Sequence, residues 1–174
     1  MKSAFFACCW IVLAAGLNYG CQKYAESSAA NLKIDRIESP AKPGSGEPNL
    51  FAAKDGRIYM SWVERVENGR HALRFSMREK DGWSEPKTIA QGDNWFVNWA
   101  DFPSIAVLND GGLAAHWLAK SGKGKFAYDV NISFSQDGGD TWSAPIIPHR
   151  DGTPTEHGFV SLLPWGEDRL FAAW

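Results

Sequence analysis

Cysteine is nearly absent. Among 174 residues there are three, Cys8, Cys9 and Cys21, and none follows. With no thiols beyond position 21, neither an internal disulfide nor a cysteine metal site is expected, and packing alone must hold the fold. A long apolar run is also missing. The stretch Ala4 to Ala15 carries no charge, but it is too short for a comfortable membrane span. Charge of one sign is not in surplus: 18 Lys and Arg stand against 20 Asp and Glu, a net charge of −2. Without a basic stripe, nucleic acid is not an expected partner. What the chain has in abundance is aromatic surface, with nine Trp and ten Phe.

The start of the chain reads as a targeting segment. Lys2 precedes the apolar run, as a basic n-region precedes a signal-peptide h-region. Leu17-Asn18-Tyr19-Gly20-Cys21 resembles a bacterial lipoprotein signal, which implies cleavage before Cys21 and lipid attachment there. Residues 1–21 are therefore expected to be a signal peptide, of lipoprotein or ordinary secretory type. The expected location is a bacterial cell envelope, reached through a lipid anchor, or the exterior. Residues 22–47 read as a tether, because Ser27, Ser28, Pro40, Pro43, Gly44, Ser45 and Gly46 interrupt any period. Leu32–Ile37 is a candidate for one extra strand.

From Pro48 the chain repeats. Pro48-Asn49-Leu50-Phe51-Ala52 recurs as Pro103-Ser104-Ile105-Ala106-Val107, and loosely as Phe159-Val160-Ser161-Leu162-Leu163. Turns follow at Asp55-Gly56, Asp110-Gly111 and Gly166-Glu167-Asp168, then strands ending in Trp62, Trp117 and Trp174, spaced 55 and 57 residues apart. Leu73-Arg74-Phe75-Ser76 aligns with Ile132-Ser133-Phe134-Ser135, and Trp83 and Trp142 are each followed by Ser-x-Pro. Fourth strands are expected near Thr88–Ala90 and Pro145–Ile147. Strand units at this period predict a β-propeller of four-stranded antiparallel blades. Blade 1 covers about residues 48–91, blade 2 about 103–149, and blade 3 begins near 158 and stops short. An N-terminal fragment of about two and a half blades is the expectation.

One hairpin, Ser135-Gln136-Asp137-Gly138-Gly139-Asp140-Thr141-Trp142, explains itself locally. The Asp137 carboxylate can accept from backbone N–H groups a few residues on, and the glycines supply turn geometry. The stretch resembles the Asp-box, or BNR repeat, of the sialidase superfamily at Ser135, Asp137, Gly139, Thr141 and Trp142. The resemblance covers residues 48–174. It implies a propeller of six blades, a structural box on the face opposite any active site, and a carbohydrate-directed, exo-α-sialidase-like glycosidase. A non-catalytic propeller binding glycans or proteins at the cell surface is the competing reading. In the first repeat, Arg78 is aligned with Asp137, so that turn must be tied differently, through Asp81-Gly82.

The opposite face then comprises Val66–Arg70, Gln91–Phe102, Ser121–Phe126 and Arg150–His157. Its glycan-facing candidates are Asp93, Trp95, Trp99, Asp101, Arg150 and His157, since aromatic faces stack on sugars and carboxylates bond hydroxyls or pass protons. Against this stand the plainer readings, which the residues favour: packing between blades for the Trp residues, and solvated or turn-capping roles for Asp93 and Asp101. By resemblance the family has a Tyr–Glu nucleophile pair, an Asp acid/base and three substrate-clamping Arg. Where the first Arg would stand, this chain has Gly46-Glu47-Pro48, and Val66–Arg70 lacks the Asp. Catalytic residues are thus not assignable, and no cofactor is expected. No metal is expected either, because residues 149–157 do not follow a metal-ligand spacing.

Overall fold

The computed structural model describes residues 33–174, which divide into a unit ending at Arg36 and a unit from Ile37 onward. The expected signal peptide, residues 1–21 with Cys21, lies outside the described residues. Residues 33–39 form no strand, so the extra strand expected around Leu32–Ile37 is not formed there. The second unit carries every regular element of the described residues.

Among the described residues, alternating apolar and polar residues build nine strands, all paired antiparallel. The first sheet has the order β1 (Gly46–Ala52), β2 (Ile58–Arg65), β3 (His71–Met77), β4 (Lys87–Gly92). The second sheet has β5 (Ser104–Val107), β6 (Leu113–Lys120) and β7 (Tyr128–Ser135), and the third pairs β8 (Ser161–Trp165) with β9 (Arg169–Ala173). The described residues are all-β, with no α-helix and a single 3₁₀ turn at Glu67–Gly69. No sheet closes on itself. The expected fourth strand of the second sheet is reduced to one bridge, in which Ile132 and Ile146 exchange backbone hydrogen bonds of 2.9 and 2.8 Å. Pro145 and Pro148 flank that bridge and have no N–H to extend it.

The register corrects the alignment of the third strands. Trp62 faces Arg74 across β2–β3, and Trp117 faces Asn131 across β6–β7. Ser76 therefore matches Ser133, not Ser135, and Arg78 stands where Ser135 stands. A shared hydrogen-bond pattern agrees: Ser76 Oγ donates to Ser84 O at 2.6 Å, and Ser133 Oγ to Ser143 O at 2.7 Å. The first turn is two residues shorter and is tied by Arg78, whose guanidinium donates to Gly82 O and lies 5.8 Å from the Trp83 ring centre.

Packing runs from sheet to sheet. β5 lies against β1 and β2 on one side and against β8 on the other. Tyr59, Leu73 and Phe75 of the first sheet bury against Ile105, Leu113 and Trp117 of the second. Tyr128, Val130 and Ile132 face Leu162, Leu170 and Ala172 of the third. Each apolar side chain so enclosed contributes about 1.5–3 kcal/mol.

The Asp137 hairpin joins the first two sheets. Its carboxylate accepts from Ser135 Oγ at 2.8 Å, from Thr141 N at 2.9 Å and from Thr141 Oγ1 at 2.6 Å. The Thr141 hydroxyl first, then its N–H and Ser135, hold the carboxyl well below the usual carboxylate range. Gly139 has φ +85°, and a Cβ there would stand 2.4 Å from Phe75 Cζ. Trp142 meets Phe75 edge-on at 6.2 Å.

Candidate functional site

Three loops gather at the end of the sheets where β6 finishes and β7 begins. The first, between β4 and β5, runs along β6: Phe96 N donates to Leu118 O at 3.0 Å and Lys120 N to Asn94 O at 2.8 Å. The second is the β6–β7 tip around Lys123. The third, ahead of β8, reaches β7 through Tyr128 N and Thr155 O at 3.1 Å. These are three of the four segments placed on one face by the repeat pattern.

Tyr128 is the hub. Its ring is fully buried and stacks on Phe96 at 4.0 Å. Its hydroxyl lies 2.8 Å from both Asp101 Oδ2 and Glu156 Oε1. A phenol has one hydrogen to donate, so two carboxylates from two loops share it. Burial first, and then these two acids, push the phenol far above its ordinary pKa, so it stays protonated. Asp101 also accepts from Phe159 N at 2.7 Å. Gly158 lets that carboxylate in: a Cβ at this position would meet Asp101 Oδ2 at 2.3 Å.

Beside the hub lies a cleft of about 530 Å³, floored by Trp95, Phe96 and Val97. Arg65, His71, Lys120, Lys123 and Lys125 surround it, and Glu47 is the one acid in its lining. Among the described residues, none of Arg65, Lys120, Lys123 and Lys125 makes an ion pair. Four unneutralised cations thus face one carboxylate. That field favours an anionic ligand, and the guanidinium of Arg65 suits a carboxylate or sulfate.

The candidates read from sequence separate. Asp101 and His157 come together on Tyr128, His157 Nδ1 lying 3.2 Å from Tyr128 O. Both are buried, so Asp101 braces loops instead of meeting solvent. Trp95 lines the cleft, but it stacks on Trp117 at 5.7 Å and is 7% exposed. It is mainly packing, with little open face. Trp99 is 85% exposed, and Asp93 and Arg150 are exposed; none of the three lines the cleft. His116 is fully buried, with Nδ1 3.0 Å from Ser104 Oγ.

Sequence reasoning missed Tyr128, Glu156, Arg65, His71 and Lys120 as site residues. The signal for Lys120 was its position beside the basic tip Lys123–Lys125. Tyr128 opens a strand like any other aromatic and offered none. Fold and site together define an all-β protein of packed antiparallel sheets with a cationic cleft among its loops. No protein-family model matches the chain, and no curated protein matches it.

Proposed function

We propose that this chain is a carbohydrate-directed, sialidase-like β-propeller that receives an anionic sugar in the cleft bounded by Arg65, Lys120, Lys123 and Lys125. The observation that carries the reading is the concentration of unneutralised cations over an aromatic floor, in a chain whose net charge is −2. The hydrogen-bonded Asp-box and the side-by-side placement of β1, β5 and β8 support the propeller architecture. Export with a lipid at Cys21 belongs to the same reading, since glycans of this kind are met outside the cell.

In the hydrolytic form of this reading, exo-α-sialidase-like turnover would draw on Tyr128, Glu156 and Asp101, which lie in hydrogen-bond contact behind Phe96, outside the lining of the cleft. A second reading, glycan binding without turnover, is favoured by one observation: the Tyr128 ring and hydroxyl are enclosed. The test is incubation of the purified protein with a fluorogenic sialoside beside neutral glycosides, with binding of the same sugars followed in parallel. Turnover or binding restricted to the sialoside supports the proposal. A preference for neutral sugars would overturn it. Binding without turnover selects the second form.

A further inference from the structure

On the far side of Tyr128, the start of β7 and the loop ahead of β8 bring together residues that nothing in the cleft uses. Asp129 Oδ1 lies 3.6 Å from His149 Nε2 and 3.5 Å from His157 Nδ1. The three donor atoms lie within 4.8 Å of one another. Around a tetrahedral ion with bonds of about 2.0–2.1 Å, neighbouring donors stand about 3.4 Å apart. The two contacts to Asp129 are close to that edge length and too long for direct hydrogen bonds.

A second observation points to a ligand. The His149 side chain is 10% exposed, and its Nε2 is buried without a hydrogen-bond partner. An orphaned imidazole nitrogen aimed at a carboxylate is costly unless something lies between them. The opposite nitrogens are already occupied. Asp151 Oδ1 lies 3.2 Å from His149 Nδ1, and Asp151 Oδ2 lies 3.2 Å from His157 Nε2. Asp151 is itself fixed by the Thr153 hydroxyl. A carboxylate on the outer nitrogen is how metal-binding histidines are oriented, leaving the inner nitrogen as ligand.

We infer that Asp129, His149 and His157 form a binding site for a divalent transition-metal ion of the zinc type, with Asp151 orienting both rings. Two imidazoles and one carboxylate match that class better than calcium or magnesium, which take oxygen ligands. The rings now stack at 3.7 Å and 5°, so their in-plane lone pairs run side by side. Closing on one ion turns one ring about χ2, a torsion with a broad well. It also takes His157 Nδ1 from Tyr128 O, which keeps its bond from His157 N at 3.3 Å. The sequence expectation of no metal rested on spacing within one loop, whereas the third ligand comes from a strand.

The test is calorimetric titration of untagged, chelator-treated protein with Zn²⁺, with Co²⁺ absorption as a probe of geometry. One ion per chain is expected, with the visible absorption of nitrogen- and oxygen-ligated Co²⁺. Asp151→Asn should weaken binding by about ten- to a hundredfold, and His149→Gln and Asp129→Asn should each remove the stoichiometric event while circular dichroism shows an intact fold. Absence of saturable binding in the parent, or binding unchanged in both His149→Gln and Asp129→Asn, would overturn the assignment.

Discussion

Gly138 and Gly139 are neighbours in sequence with different constraints. Both have positive φ, +69° and +85°, but a Cβ at Gly138 meets open space, whereas one at Gly139 strikes Phe75. Gly138→Ala should therefore cost about 1–2 kcal/mol, the left-handed penalty alone. Gly139→Ala should cost more, because Phe75 must also shift within a packed core. Urea unfolding of the two variants checks the order. His116 makes the second prediction at this scale. Burial pulls its pKa down to about 3 from 6.5. The folded state thus holds the neutral ring, and the unfolded state binds the extra proton below pH 6.5. Stability from this group is intact above pH 6.5 and is lost as pH falls toward 3. Between pH 7 and pH 5 it should fall by about 2 kcal/mol. Unfolding titrations at both pH values, compared with His116→Asn, should show that loss in the parent and not in the variant.

At the scale of elements, most strands were legible because their chemistry is local. Alternation and turn glycines placed β1 to β3 and β5 to β7 within a few residues. The register of the repeat was not legible. Ser76 and Ser135 each precede a Trp by seven positions, and counting back from Trp aligned them. Pairing across β2–β3 and β6–β7 shows that the first turn is two residues shorter. The weak fourth strand was only half visible, since Pro145 and Pro148 warn against pairing but do not say how much survives. Hydrogen exchange should reflect it. Amides of β4 paired with β3 should be protected, whereas from Ala144 to Ile147 only Ile146, bonded to Ile132 O, should exchange slowly. Uniform protection across that segment would contradict the single bridge. The site suffered more than the fold. Asp101, Tyr128 and Glu156 lie 27 and 28 residues apart, and no local pattern brings them together.

For the whole molecule, the deciding feature is where charge sits. Acidic groups outnumber basic ones by two over the full sequence, yet the cleft collects Arg65, Lys120, Lys123 and Lys125 against Glu47. Those cations come from the ends of two sheets and one loop tip, so packing of sheet on sheet creates the field. Among the described residues no helix is long and apolar enough to cross a membrane. The most direct measurement is calorimetric titration of the protein with sialyllactose and with lactose at low and high salt. The anionic trisaccharide should bind, lactose should not, and raising salt should weaken the interaction as it screens exposed cations. The double variant Lys120→Ala, Lys123→Ala should bind at least about tenfold more weakly, a loss of about 1.4 kcal/mol. Equal affinity for the two sugars, or binding indifferent to salt and to the double variant, would contradict it.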